Sequence, residues 1–208
     1  MADTIINVRG IARYPWLNKP DTKFEAAGVY KVDLEIDADT AEPLIRQFTD
    51  MRAAAMKEAQ KALKGKKAKE ADLPISPKLD EDGNETGAFV LKAKMKASGT
   101  SKKTGKQWTR AVPIFDAKGK PANPQIYGGS EIILGVKVQA WSNPKGECSV
   151  TCYLEGVQVI KLAAGSGGAS ASALGFSAVE GGYVEQDPDA DTETNGEGEG
   201  EGGDYDFE

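Results

Sequence analysis

The chain has 208 residues, 39% of them hydrophobic, with 26 Lys and Arg, 32 Asp and Glu, and no histidine. The missing imidazole removes the commonest general base and metal ligand, which excludes serine–histidine and cysteine–histidine catalysis. The net charge of −6 hides an asymmetry: all 26 cations lie at or before Lys161, where 20 carboxylates leave +6, and the other 12 carboxylates lie between Glu180 and Glu208. A basic body joined to an acidic arm is the pattern of a polyanion-binding protein.

About 160 residues precede the arm, the size of one domain with a core of its own. No apolar run approaches the ~18 residues of a membrane span. Met1-Ala2-Asp3-Thr4 lacks the basic and apolar regions of a secretion signal. A soluble, intracellular protein is expected. Cys148 and Cys152 are four apart in a strand-like segment, so their Cα atoms stand ~13 Å apart, beyond disulfide reach. Two cysteines without histidine also fall short of a zinc site, and small core residues are expected.

Taken in chain order, Thr4 to Arg13 reads as a first strand interrupted by Gly10, followed by a loop from Pro15 to Pro20. Tyr14, Trp16 and Phe24 flank that loop, either as exposed platforms or as a loop-closing cluster. Gly28 to Ile36 alternates: Tyr30, Val32, Leu34 and Ile36 face a core, and Lys31, Asp33 and Glu35 face water. A helix follows. Asp39 is the expected cap, Glu42 completes a capping box, and Pro43 suits an early helical position. Leu44, Phe48, Met51, Ala55, Ala59 and Leu63 recur at helical spacing, and Gly65 ends the run. Lys61, Lys64, Lys66, Lys67 and Lys69 cluster at its end, either as cations favoured by the helix dipole or as a phosphate-contacting patch.

A Pro-containing connector leads to the turn Asp82-Gly83-Asn84. Asp80, Asp82 and Asn84 imitate a calcium loop, but Leu91 stands where the bidentate Glu belongs. Four strands are then predicted up to Leu162. In the first, Phe89, Leu91, Ala93 and Met95 oppose Lys92, Lys94 and Lys96. In the second, Trp108, Arg110, Val112 and Ile114 share a face. In the third, Ile132, Leu134, Val136, Val138 and Ala140 oppose Lys137, Gln139 and Trp141. In the fourth, Val150, Cys152 and Leu154 oppose Thr151, Tyr153 and Glu155. Short strands, one helix and Gly-rich turns predict a mainly β fold, a small antiparallel barrel or sandwich. Among barrels, the oligonucleotide-binding (OB) type with about five or six strands suits basic strand faces best. The expected domains are 1–164 for the barrel, 165–182 for a flexible Gly/Ser/Ala linker, and 183–208 for a disordered acidic tail.

Lys92, Lys94 and Lys96 recur about every 6.6 Å along one strand face, close to the spacing of successive phosphates in an extended single strand. Lys102, Lys103 and Lys106 extend the track through a loop made mobile by Gly99 and Gly105. Trp108 with Arg110, Trp141 with Lys137, and Tyr153 set aromatic rings beside cations, as single-strand binders do. The bland alternatives are a solvated sheet face and rings packed at a barrel end. Asp33, Glu35, Asp37 and Asp39 alternate along a strand and its exit, either as a metal-binding nuclease site or as a charged edge that prevents strand-to-strand aggregation. In the tail, Asp204, Tyr205, Asp206, Phe207 and Glu208 place two aromatics where no core needs them, which suggests contact with a partner.

Several of these segments together resemble the replicative single-stranded DNA-binding proteins of short-tailed, T7-like podovirus phages. They are Gly28-Val29-Tyr30-Lys31-Val32-Asp33-Leu34, Asp116-Ala117-Lys118-Gly119-Lys120, Gly128-Gly129-Ser130, Val157 to Ala163, and an acidic tail with a near-terminal Phe. The likeness spans most of the chain in order. It implies an OB barrel with a helix, a homodimer in the host cytoplasm, single-stranded DNA as ligand without a cofactor, and roles in DNA replication, recombination and repair. It also implies a tail that docks the phage DNA polymerase and primase-helicase. In that family the aromatic itself is terminal; here Glu208 follows Phe207. The helix falls after the second strand, earlier than in the usual barrel order. Two rivals remain at this point: an acidic-tailed chaperone or interaction protein for basic partners, and a carboxylate-metal nuclease.

Overall fold

The computed structural model describes residues 4–62 and 67–163. By contacts the chain divides into two units, Met1–Gly168 and Ala169–Glu208, and all described residues lie in the first. The expected linker and disordered tail lie outside the described residues, as do Leu63, Lys64, Gly65 and Lys66.

Among the described residues, ten strands and one helix follow in the order β1 (Thr4–Asp21), β2 (Val29–Ile36), α1 (Ala38–Ala62), β3 (Lys69–Glu70), β4 (Ile75–Leu79), β5 (Glu85–Lys96), β6 (Ser98–Thr100), β7 (Gln107–Thr109), β8 (Ile114–Phe115), β9 (Glu131–Ser142) and β10 (Glu147–Lys161). Five of them close a barrel. β9, β1, β2 and β5 pair antiparallel in that order, β10 pairs antiparallel with β9, and β10 meets β5 in parallel through Cys152↔Ala93 and Tyr153↔Lys94. This is the strand order of an OB barrel. The expectation of an all-antiparallel barrel is corrected at that one seam.

Alternation builds the interior. Along β2 every second residue is buried, from Tyr30 to Ile36. Leu91, Ala93 and Met95 of β5, Ile132 to Val138 of β9, and Val150, Cys152 and Leu154 of β10 join the same core. Cys148 and Cys152 are free thiols in this interior, and burial pushes Cys152 up to about 12, far from thiolate reactivity.

Gly10 allows β1 to pass close against β2. A Cβ there would stand 2.4 Å from the Glu35 carbonyl oxygen, so no larger residue fits without moving backbone.

The helix starts two residues earlier than expected. Asp37, not Asp39, is its cap: the Asp37 carboxylate accepts the Thr40 amide at 2.7 Å. Hydrogen bonds from Thr40 hold that carboxyl below its ordinary value. Asp39 lies in the first turn, where its charge complements the helix dipole. Phe48, fully buried, carries the apolar face of α1 against β9 and β10. Truncating such a ring to Ala costs about 3–5 kcal/mol.

Three local expectations are corrected. The Pro15–Pro20 loop is the second half of β1. The Pro-containing connector contains β4, an edge strand whose Pro77 needs no ladder partner on its open side. The single strand from Trp108 to Ile114 is two, β7 and β8, separated by an irregular stretch ending at Pro113, which has no amide to donate. Asp80 takes up the calcium-like triplet: its Oδ1 accepts the amides of Asp82 (3.0 Å) and Asn84 (2.8 Å), closing the β4–β5 turn.

Candidate nucleic-acid interface

On the outer surface, register places side chains that lie far apart in the sequence next to one another. Trp16 of β1 pairs with Lys31 of β2, Lys31 with Lys94 of β5, Lys94 with Tyr153 of β10, and Tyr153 with Lys137 of β9. At about 4.8 Å per strand, this row crosses roughly 19 Å of barrel surface. Trp16 and Tyr153 are 43% and 40% exposed, so both rings are available to a ligand. Lys31 was legible only as a polar-face residue of β2. Barrel closure and register, which local periodicity does not encode, bring it beside Lys94.

β5 changes neighbour along its length, pairing with β4 up to Leu91 and with β10 from Ala93. Where the two neighbours part, a furrow of about 350 Å³ opens. Lys31, Lys92, Lys94 and Trp141 line it, together with Leu73, Pro74 and Val150. The connector forming one wall is anchored: the Lys92 amide donates to the Pro74 carbonyl at 2.7 Å, and the Ser149 hydroxyl to the Asp72 carbonyl at 2.6 Å. Asp33 and Asp72 also border the furrow, so three ammonium groups meet two carboxylates there. Cations, an indole and apolar walls together suit a phosphate and a base at once.

The lysines of the stripe differ in their partners. Among the described residues, Lys92 and Lys94 have no ion pair. Lys96 pairs with Glu25 at 2.8 Å, and Lys31 with Asp21 at 2.5 Å. The bond to Glu25 raises the Lys96 ammonium above its ordinary value. The bond from Lys31, with the Lys23 amide, lowers the Asp21 carboxyl. Phe24, 86% exposed, sits in the β1–β2 loop beside Glu25. Of the two readings open for Tyr14, Trp16 and Phe24, exposure excludes the closed cluster.

Lys102, Lys103 and Lys106 are exposed at the tip of the β6–β7 hairpin. Trp108 is placed differently from the other rings. It lies against Gly99, where a Cβ would come 2.6 Å from Trp108 Cζ2, and the Arg110 guanidinium sits 4.8 Å from its centroid. Trp108 and Arg110 are thus engaged with each other, and they are not brought into the furrow.

Two of the four alternating carboxylates, Glu35 and Asp37, are taken up by partners. Burial pulls the Glu35 carboxyl up, but hydrogen bonds from Lys78 and Arg13 outweigh it and leave the group below its ordinary value. Arg13 Nε and Lys78 Nζ stand 2.7 and 2.8 Å from Glu35 Oε2, and Asp37 caps the helix. The tail residues Asp204, Tyr205, Asp206, Phe207 and Glu208 lie outside the described residues.

The family described as "Single-stranded DNA-binding protein, Bacteriophage T7" matches residues 9–162. The chain belongs to that family. Its match begins inside β1 and ends just past β10, so it covers all of the barrel except the first five residues of β1, and the whole furrow. The crystal structure of gp2.5, a single-stranded DNA-binding protein encoded by bacteriophage T7, is similar with a TM-score of 0.67 and 27% identity, over 89% of this chain and 100% of that one. The single-stranded DNA-binding protein from bacteriophage Enc34, solved in complex with ssDNA, shares the fold with a TM-score of 0.53 at 16% identity, over 78% of this chain and 89% of that one. No curated protein matches the chain. Among the described residues, no helix is long and apolar enough to cross a membrane.

Proposed function

We propose that this member of the family coats single-stranded DNA without sequence preference, in phage DNA replication, recombination and repair, and acts by binding rather than by catalysis. The observation that carries the reading is the furrow where Lys31, Lys92, Lys94 and Trp141 converge on the outer face of the barrel. Bases of any identity stack on an indole, at about 1–3 kcal/mol each, and ammonium groups follow the phosphates. Tyr153 and Lys137 continue the track across β10 and β9. Lys96, Lys102, Lys103 and Lys106, with the Trp108–Arg110 pair, supply charge at its hairpin end.

The arm extends the proposal. Its 12 carboxylates and the +6 body favour occupation of the DNA face when no strand is bound, in the same copy or across a homodimer. DNA then displaces the arm and frees Tyr205 and Phe207 for the phage DNA polymerase and primase-helicase in the host cytoplasm. Quenching of tryptophan fluorescence by oligo-dT tests the binding face: strong quenching without strand cleavage is expected, and no quenching in dilute buffer contradicts it. Truncation after Gly182 tests the arm. Tighter oligo-dT binding and lost polymerase recruitment are expected, whereas unchanged or weaker affinity contradicts the competition.

A further inference from the structure

Tyr14 is the only non-glycine residue with a positive φ among the described residues, at 48°. A bulky side chain in that region is an outlier that glycine would relieve. It sits at a β-bulge. Pairing runs from Arg13↔Asp33 to Trp16↔Lys31, so β1 advances three residues while β2 advances two. The extra residue turns the Tyr14 ring outward, where it is 80% exposed. The ring therefore serves no core, yet the chain keeps it on a backbone better suited to glycine.

The ring borders a second furrow, of about 440 Å³, with Arg13, Pro77, Lys78, Leu79 and Lys92. Glu35 at this furrow is already bonded to Arg13 and Lys78, which limits its repulsion of a phosphate. Lys92 and Asp33 line both this furrow and the one beside Trp141, so the two meet at β2 and β5. Pro77, Leu79 and Tyr14 give the second furrow apolar surface of the kind a base covers. We propose that Tyr14 is a stacking platform for an additional unpaired base. A strand bound along Lys94 and Lys92 continues past Lys92 into this second subsite. The inference rests on the binding face proposed above.

The test uses the full chain and oligo-dT of increasing length, with affinity read by tryptophan quenching. Wild type should gain affinity with length up to a plateau. Tyr14→Gly should bind the shortest oligonucleotides as wild type does, reach its plateau about one nucleotide sooner, and bind the longer ones about 5- to 150-fold more weakly. Tyr14→Phe should restore the longer-oligonucleotide affinity. Because glycine suits the φ at this site, the melting temperature of Tyr14→Gly should not fall, which separates a lost platform from a lost fold. Equal affinity of Tyr14→Gly and wild type at every length overturns this inference alone. A wild-type chain that binds no oligo-dT at any length overturns the binding face as well.

Discussion

The barrel furrow and the β6–β7 hairpin are both basic and both carry a tryptophan, yet the two tryptophans are packed differently. In the furrow, Lys92 and Lys94 stand on the barrel sheet beside the Trp141 indole and the apolar walls of Leu73, Pro74 and Val150. In the hairpin, Trp108 is covered by Gly99 and Arg110, which leaves the ammonium groups of Lys102, Lys103 and Lys106 as its main offering. Composition alone makes the two segments equivalent. Register and packing set one indole beside cations and apolar walls, and pack the other on Gly99 and Arg110.

That contrast can be broken or sharpened by substitution. Trp141→Ala should have the largest effect, weakening oligo-dT binding about 5- to 150-fold while leaving the salt slope unchanged. Replacing Lys102, Lys103 and Lys106 together by Ala should do the reverse. The slope of log affinity against log salt should become shallower by up to about 1.4, at roughly 0.7 for each of two phosphate contacts, and the affinity should approach wild type at high salt. A smaller and more local effect is expected of Gly99→Ala. Its Cβ would fall 2.6 Å from Trp108 Cζ2, so the indole must shift, changing the emission of Trp108 with little change in furrow binding. If Gly99→Ala instead reproduced the loss in Trp141→Ala, the hairpin would share the stacking role.

The smallest effect concerns acid stability. The folded Glu35 carboxyl lies below its ordinary value of 4.5, so its contribution is complete above that value and is lost as pH falls through the depressed one. Urea midpoints should therefore decline between about pH 5 and pH 3, less steeply in Glu35→Gln.

Alternation made most of the barrel legible before any coordinates. The buried faces of β2, β5, β9 and β10 fall on the residues that period two selects. Signals that depend on a distant partner were not legible. β1 continues through two prolines because bulges absorb them, and β4 tolerates Pro77 because it is an edge. The helix cap lies two residues before the expected one because Asp37 and Asp39 are both of a capping type, and only the Thr40 amide decides between them. Lys92, Lys94 and Lys96 were visible as an exposed stripe. Trp141 was visible as an aromatic on a polar strand face. That Lys96 is tied to Glu25, that Lys31 lies beside Lys94 and Trp141, and that Trp108 packs on Gly99 and Arg110 all follow from contacts across more than one strand.

The central claim is that Lys92 and Lys94, unpaired within the described fold, hold phosphates in the furrow. Measuring oligo-dT affinity across a salt series for the full chain and its Lys92→Ala/Lys94→Ala variant tests this most directly. Four engaged phosphates give a wild-type slope near −3, and the variant should be shallower by about 1.4. A variant with the wild-type slope would place the strand somewhere other than this furrow.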